Sequence, residues 1–272
     1  MKAHDIKVQL TPFLKWAGGK RWFVANHAKF FPESYDRYVE PFLGSGAVYF
    51  YLQPKRALLS DLNLELISSY RAIRDHWSLV SDALAQHQAN HSDEHYYRVR
   101  SAPVEDEIGA AARFIYLNRT CWNGLYRVNR QGEFNVPRGT KNAVLLESDN
   151  FQATSRKLRG ASLKCVDFEE SIDSARKYDF LFVDPPYTVK HNHNGFLKYN
   201  DKIFSWEDQV RLRESLFRAK ERGAFIVMTN ANHESVRELY RGFVRRSLTR
   251  QSVLSGNVSG RCETEELLVT NV

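Results

Sequence analysis

The chain alternates short apolar runs with longer stretches whose apolar residues recur at helical spacing. Short apolar runs are typical of strands that are buried within a parallel sheet. Because helical stretches separate these runs, the pattern predicts an open α/β sheet. The predicted strands lie near 38–40, 57–60, 161–166, 179–183 and 224–229, and a closing strand pair is predicted at 243–252 and 265–270.

The middle of the chain departs from this alternation. Helical patterns alone occupy residues 76–118. The segment 122–141 then alternates on both sides of a turn at 129–132, which predicts a β-hairpin. We therefore predict an inserted subdomain at 76–146, within a core domain that is formed by 1–75 and 147–272.

Composition narrows the functional classes. The 272-residue chain is 43% hydrophobic, enough for a substantial core, and carries 39 Lys and Arg residues against 32 Asp and Glu residues. The net charge of +7 favours a polyanionic partner. The sequence has no signal-peptide pattern and no apolar run near the roughly 18 residues of a membrane span. We therefore expect a cytoplasmic protein without a membrane partner.

The cysteine and histidine spacing argues against a disulfide framework and against a metal site. Cys121, Cys165 and Cys262 are odd in number and far apart, which is typical of a reduced cytosolic protein. His191 and His193 suggest a metal, but no third ligand follows them at a useful spacing. We predict that no metal is bound.

The segment Asp184-Pro185-Pro186-Tyr187 is the strongest candidate for chemistry. It follows the predicted buried strand 179–183, and ligands bind at the carboxyl ends of strands in open α/β sheets. The prolines lack backbone N–H groups, so the nearby carbonyl groups can accept hydrogen bonds from a ligand. A carboxylate, a carbonyl and an aromatic ring together suit a planar group with an amino substituent, such as a nucleobase. The alternative is an ordinary strand end with a proline turn.

A second candidate site involves glycines and an acidic residue. Gly44 and Gly46 lie between the first predicted strand and a helical stretch, which is a shortened form of the dinucleotide-binding pattern. Asp61 follows the next strand, where a carboxylate can accept both ribose hydroxyls of an adenosine. The full glycine pattern is absent, so adenosine on a carrier other than a pyrophosphate fits better. The Gly18-Gly19-Lys20 turn permits close backbone approach to a ligand.

The predicted hairpin has the composition of a DNA-binding element. It is dense in Arg, Asn and aromatic residues. Arg contacts guanine edges, Asn contacts adenine edges, and an aromatic ring can insert into a base stack. The alternative is a polar surface hairpin.

With these pieces placed, the whole sequence resembles the Dam-type DNA adenine-N6 methyltransferases. The motifs that carry the resemblance are Phe13-Leu14-Lys15-Trp16-Ala17-Gly18-Gly19-Lys20, Glu40-Pro41-Phe42-Leu43-Gly44-Ser45-Gly46, Leu117-Asn118-Arg119 with Asn123-Gly124-Leu125, Gly132-Glu133-Phe134-Asn135-Val136-Pro137, and Asp184-Pro185-Pro186-Tyr187. The resemblance implies a Rossmann-like methyltransferase sheet, S-adenosylmethionine as donor with S-adenosylhomocysteine as product, and flipped adenine in duplex DNA as acceptor. We expect a monomer.

The resemblance also implies roles for individual residues. Asp184 and Pro185 accept hydrogen bonds from the target amino group, and Tyr187 stacks on the flipped base, with Pro186 completing the catalytic segment. The implied donor-binding residues are Trp16, Lys20, Phe42, Gly44, Gly46, Asp61, Asp167 and Asp184. The implied DNA-binding residues are Arg119, Trp122, Asn123, Leu125, Arg127, Asn129, Pro137, Arg138 and Lys141.

One segment departs from the resembled family. After Pro137 the chain continues with Arg138-Gly139-Thr140-Lys141, where family members that recognise GATC have an aromatic residue, a glycine and then a basic or aromatic residue. This departure leaves the identity of the outer bases of the target sequence undetermined. Two other functions also remain open: a non-catalytic DNA- or toxin-binding partner, and methylation of RNA or of a protein glutamine.

Overall fold

The computed structural model of the chain describes residues 9–104, 106–129, 131–190, 204–251 and 263–272. His191, His193 and Cys262 lie outside the described residues. The helices are α1 (Arg21–His27), α2 (Ala47–Leu52), α3 (Leu64–Ala89), α4 (Asp93–Ser101), α5 (Glu107–Thr120), α6 (Phe151–Leu158), α7 (Phe168–Asp173), α8 (Trp206–Glu221) and α9 (Glu234–Leu239). The strands are β1 (Tyr38–Glu40), β2 (Ala57–Ser60), β3 (Ala161–Lys164), β4 (Phe180–Val183), β5 (Phe225–Ala231), β6 (Val244–Gln251) and β7 (Glu263–Thr270).

The strands form a mixed sheet in the order β3-β2-β1-β4-β5-β7-β6. Strands β1, β2, β4 and β5 pair in parallel, whereas β7 is antiparallel to both β5 and β6. The predicted α/β sheet with a closing antiparallel pair is thus confirmed. The chain moves outward from β1 to β2 and later returns to β4 on the other side of β1. The carboxyl ends of β1 and β4 therefore define a topological switch point, where open α/β sheets bind ligands.

The described residues fall into two compact units. The first comprises Met1–Val24, Leu43–Lys55 and Asn63–Cys165, and the second comprises Ala25–Phe42, Arg56–Leu62 and Val166–Val272. The predicted insert, 76–146, lies wholly within the first unit, although the units divide the chain at positions other than the predicted domain boundaries. No helix among the described residues is long and apolar enough to span a bilayer.

The second unit is built around β4. All four residues of this strand are buried, as expected for a central parallel strand with both faces covered. Leu181 and Val183 pack in one core cluster with residues of α7, α8 and β5. Helix α8 follows the N-cap residue Ser205, which forms a reciprocal capping box with Asp208.

The first unit is mainly helical, as the pattern at 76–118 predicts. Its α3 has non-helical dihedral angles at His76, the first residue of the predicted insert. Phe13 contributes to an aromatic core with Phe50, Tyr70 and Phe151, at ring-centroid distances of 6.4, 4.8 and 6.2 Å. Packing of this kind fixes the segment that precedes the first predicted ligand-binding motif.

The predicted hairpin at 122–141 forms isolated bridges instead of continuous strands. The bridges join Cys121 to Arg138 and Val128 to Phe134. Regular pairing fails because a 3₁₀ turn, Trp122–Gly124, places Asn123 and Gly124 at φ values of 54° and 65°. The result is a hairpin with an irregular first arm.

Candidate active site and nucleic-acid interface

The switch point of the second unit carries the Asp184 carboxylate. The pairing of Val183 with Met228 brings the ends of β4 and β5 level. As a result, Thr229 on β5 donates a hydrogen bond from Oγ1 to Asp184 Oδ1 at 2.8 Å. Asp184 is half-buried, so this bond fixes the direction of a carboxylate that still reaches the surface. The sequence did not indicate Thr229, because its role arises only from strand register.

Tyr187 is anchored through its hydroxyl group. The hydroxyl donates to Glu266 Oε2 at 2.5 Å, and Glu266 is buried on β7 within 3.1 Å of Arg250 Nη1. Burial raises the pKa of Tyr187 well above its ordinary value, and the negative charges of Asp184 and Glu266 raise it further. Tyr187 therefore remains a neutral phenol, and its ring is held in place from the hydroxyl end.

Other predicted residues of the second unit surround the same edge of its parallel strands. Phe42, just beyond β1, stacks on Phe168 with ring centroids 5.4 Å apart. Asp61 follows β2 directly and is half-buried. Asp167 caps α7 through the Glu169 N–H group and pairs with Arg211 at 2.8 Å. The donor-binding roles of these residues stay predictions.

The predicted glycine turn belongs to the first unit. Gly44 and Gly46 have φ values of 46° and 62°, in the left-handed region that favours glycine. A Cβ atom on Gly44 would lie 2.7 Å from Trp16 Cδ1, so a side chain there would displace the indole ring. Trp16 itself stacks on Tyr126 with centroids 5.7 Å apart. The buried Lys20 donates from Nζ to the Gly18 carbonyl oxygen at 2.8 Å.

The surface of the irregular hairpin presents most of the predicted DNA-binding residues. Trp122 is 52% exposed and Leu125 is 36% exposed. The other exposed predicted residues are Asn123, Arg127, Pro137 and Lys141. Arg127 donates from Nε to Asn135 Oδ1 at 2.8 Å, a contact that spans the two arms.

A cavity of about 320 Å³ opens beside this hairpin. Lys15 and Thr140 line it, although neither was among the predicted DNA-binding residues. Burial lowers the pKa of the Lys15 amine, and the charge of Lys141 lowers it further. Burial also raises the pKa of the Cys121 thiol to about 11, so this cysteine is neutral and a poor nucleophile. The lining residues are Lys15, Cys121, Trp122, Asn123, Gly124, Thr140 and Lys141.

The assignment of Arg119 to the DNA surface is corrected by its surroundings. Its side chain is fully buried, and its guanidinium donates to Asp149 through Nη1 at 2.6 Å and through Nη2 at 2.7 Å. Further bonds run from Nη1 to the Val144 oxygen and from both Nε and Nη2 to the Phe13 oxygen. These bonds use all five N–H groups of the guanidinium, so no donor remains for a phosphate. Arg119 is a structural residue of the first unit.

Asn129 is likewise occupied within the protein. Its Oδ1 accepts from the N–H groups of Gln131 and Glu133, each at 2.9 Å, and its Nδ2 donates to Glu133 Oε2 at 2.8 Å. These bonds close the hairpin turn in the manner of an Asx-turn. Asn129 therefore forms the turn, and its contact with DNA stays a prediction.

A half-buried acceptor carboxylate and an anchored tyrosine thus lie at the switch point of the second unit, where open α/β sheets bind ligands. Comparison with known proteins gives the particular family. Residues 16–254 match the D12 class N6 adenine-specific DNA methyltransferases, and the chain belongs to that family.

Relatives of similar length agree with this assignment. The chain is 35% identical to the Type II methyltransferase M1.LlaDCHI of Lactococcus lactis subsp. cremoris, over 97% of this chain and 96% of that protein. It is 32% identical to the Type II methyltransferase M.MjaIII of Methanocaldococcus jannaschii, over 97% of this chain and all of that protein. It is 31% identical to a DNA adenine methylase of Vibrio cholerae, over 94% of each chain.

Proposed function

We propose that the protein methylates adenine N6 at a specific duplex DNA sequence that contains GATC or a close variant. The family fixes the reaction class as S-adenosylmethionine-dependent methyl transfer to adenine N6 in DNA. The observation that carries the proposed chemistry is the anchoring of Asp184 by Thr229 and of Tyr187 by Glu266. These bonds orient an acceptor and an aromatic ring before the substrate arrives, which removes an entropic cost from the reaction.

We infer that the predicted donor-binding residues hold S-adenosylmethionine. When bound, S-adenosylmethionine supplies a sulfonium methyl group and becomes S-adenosylhomocysteine. The left-handed turn at Gly44 and Gly46 supports this assignment, because glycine lets the backbone approach a ligand closely, whereas a side chain at Gly44 would collide with Trp16. Asp61 accepts from the ribose hydroxyls. The other residues of the proposed donor site are Trp16, Lys20, Phe42, Asp167 and Asp184.

The acceptor step follows from the catalytic segment. Adenine N6 is a poor nucleophile because its lone pair is delocalised into the ring. Asp184 Oδ and the Pro185 carbonyl oxygen accept hydrogen bonds from its two N–H groups, which favours a pyramidal nitrogen with an available lone pair. After the methyl group is attached, N6 releases one proton to solvent, which leaves neutral N6-methyladenine. Tyr187 stacks on the base after the base has left the duplex, a movement that costs a few kcal/mol. No covalent enzyme intermediate is required, in keeping with the neutral Cys121 thiol.

The exposed hairpin contacts the duplex in this proposal. Trp122 inserts into the stack beside the flipped adenine, and Asn123 and Arg127 contact base edges or flanking phosphates. Pro137 lies against a thymine methyl group. Thr140 is too short to span the groove as Arg does, so discrimination at an outer base pair is weaker by about 1–3 kcal/mol, the worth of one bidentate contact. We further propose that the protein acts as a monomer in the cytoplasm.

Mapping of N6-methyladenine in a random-sequence duplex library tests the proposed specificity. We expect methylation at GATC or at sites that share ATC or GAT, with tolerance at one outer position. Arg127→Ala is expected to relax this preference more than it lowers the rate at the best site, because Arg127 is exposed on the hairpin arm. Methylation without an ATC or GAT preference, or an equal loss of methylation at every site in the variant, would show that the hairpin contacts the DNA backbone and does not recognise bases.

Asp61→Ala tests the donor assignment. We expect S-adenosylmethionine binding to weaken by about 1–3 kcal/mol, the range for loss of a charged hydrogen-bond acceptor, with a smaller loss of turnover at saturating donor. Isothermal titration measures this change directly. Asp82→Ala, which removes an exposed carboxylate from α3, is the control and is expected to bind the donor normally. An unchanged dissociation constant for Asp61→Ala would place the ribose elsewhere.

A further inference from the structure

Arg138 stands at the base of the second hairpin arm and is held by three side chains. Its Nη1 pairs with Asp93 Oδ1 at 2.6 Å. Its Nη2 donates to Asn142 Oδ1 at 2.8 Å and lies 3.3 Å from His91 Nε2. The backbone of Arg138 also forms an antiparallel β-bridge with Cys121, the neighbour of the exposed Trp122. Its guanidinium therefore belongs to the surface that the proposed function assigns to DNA.

The Nη2 side of this guanidinium is fixed within the protein. His91 is itself oriented by Tyr116, whose hydroxyl lies 2.9 Å from His91 Nδ1 and whose ring is fully buried. Burial lowers the pKa of His91, and the charge of Arg138 lowers it further, so the neutral imidazole can accept from Arg138. Asn142 supplies the second acceptor on this side.

The Nη1 side differs, because its partner is at the surface. The Asp93 side chain is 76% exposed, whereas the Arg138 side chain is 25% exposed. Exposed ion pairs contribute between nothing and about 1 kcal/mol, so a competing anion can replace the Asp93 carboxylate at little cost. Charge-assisted hydrogen bonds from Arg suit carboxylate and phosphate oxygens alike.

The occupied Nη2 edge restricts what Arg138 can recognise. Bidentate contact with guanine needs two N–H groups directed at the base edge. His91 and Asn142 already take the two N–H groups of Nη2, and Nε is buried, which leaves only the Nη1 amine for an acceptor outside the protein. A phosphate oxygen meets that requirement, and it carries no sequence information.

We propose that Arg138 is a phosphate-contact residue which His91 and Asn142 orient, and that Asp93 occupies the phosphate position until DNA displaces it. Asp93 is thus an intramolecular competitor of DNA, and Arg138 sets the position of the hairpin on the duplex without choosing a base. This inference rests on the proposed role of the hairpin in DNA binding.

Fluorescence anisotropy over a series of NaCl concentrations tests the inference on two duplexes, one with GATC and one with the same bases in scrambled order. Asp93→Asn is expected to tighten binding to both duplexes by about twofold to fivefold, the range for release of an exposed ion pair. Arg138→Ala is expected to weaken binding to the GATC duplex and to the scrambled duplex by equal factors. It should also reduce the slope of log K against log[salt] by about 0.9, the value for one phosphate contact.

Two further variants separate this mechanism from a general charge effect. Glu94→Gln is the matched control, because Glu94 also lies in the first turn of α4 and makes no ion pair within the described part of the chain. We expect it to change affinity by less than half as much as Asp93→Asn on a logarithmic scale. In the double variant Asp93→Asn/Arg138→Ala, the gain from Asp93→Asn is expected to vanish, since the two residues act through one contact.

The possible results distinguish failure of the inference from failure of the proposed function. If the wild-type protein bound neither duplex, the proposed function would fail and the inference with it. If the wild-type protein bound DNA, three results would overturn only the competitor role of Asp93. These are weaker binding by Asp93→Asn, a gain in Glu94→Gln equal to that in Asp93→Asn, and a gain from Asp93→Asn that persists in the double variant with Arg138→Ala. A loss in Arg138→Ala that was confined to the GATC duplex would instead make Arg138 a base contact.

Discussion

Asp184→Ala is expected to lower the rate of methyl transfer on the best DNA site by on the order of 10²-fold or more, as for loss of a key polar group at a reacting centre. The reason is that Asp184 and the Pro185 carbonyl are the two acceptors for the N6 hydrogens in the proposed mechanism. Without the carboxylate, the nitrogen lone pair stays delocalised into the ring. Single-turnover kinetics with saturating donor and DNA measures the effect.

The controls for this variant separate chemistry from folding. Donor binding by isothermal titration is expected to weaken by a much smaller factor than the rate, because Asp184 has its main role only when N6 is present. Thr229→Val should lower the rate by a smaller factor, since it removes the bond that orients Asp184 but retains the carboxylate. An Asp184→Ala enzyme with more than roughly a tenth of wild-type turnover would contradict the assigned role.

Arg119→Ala is expected to destabilise the first unit by about 3–5 kcal/mol, the range for breaking a buried ion pair by removal of one partner. The variant would leave the Asp149 carboxylate without its bidentate partner and the Phe13 and Val144 oxygens without their donors. Urea denaturation, followed by circular dichroism, measures the change in the free energy of unfolding.

Arg127→Ala is the matched control for the Arg119 prediction. Its side chain is exposed, so the same substitution is expected to change stability by no more than about 0.5 kcal/mol. Arg119→Ala is thus expected to lower the stability of the protein, whereas Arg127→Ala is expected to relax its DNA specificity with little change in stability. Normal stability of Arg119→Ala, together with weakened DNA binding, would return Arg119 to the DNA surface.

The sequence predicted the sheet well because its signals are local. The apolar run before Asp184 is a complete buried strand. Helix α6 begins at Phe151, because Asp149 binds Arg119 and Asn150 provides the N-cap.

The features that the sequence did not reveal depend on contacts between distant segments. Glu266 follows Tyr187 by 79 positions, and only the sheet pairing brings their side chains together. Arg119 carries the residue type of a DNA contact, and nothing local shows that Asp149, Phe13 and Val144 consume its donors. Asp93 lies in the charged helix α4, and the composition of this helix predicts only a solvated surface.

The most direct test of the central claim is mass spectrometry of the nucleosides released from duplex DNA after incubation with the protein and a donor labelled in its methyl group. Our account predicts the label in N6-methyldeoxyadenosine, none in cytosine, and none in matched RNA or in added protein. It also predicts that Asp184→Ala forms labelled product more slowly than the wild-type protein by on the order of 10²-fold or more. Label in cytosine, in RNA or in protein, or no transfer at all by a folded enzyme that binds the donor, would contradict the account.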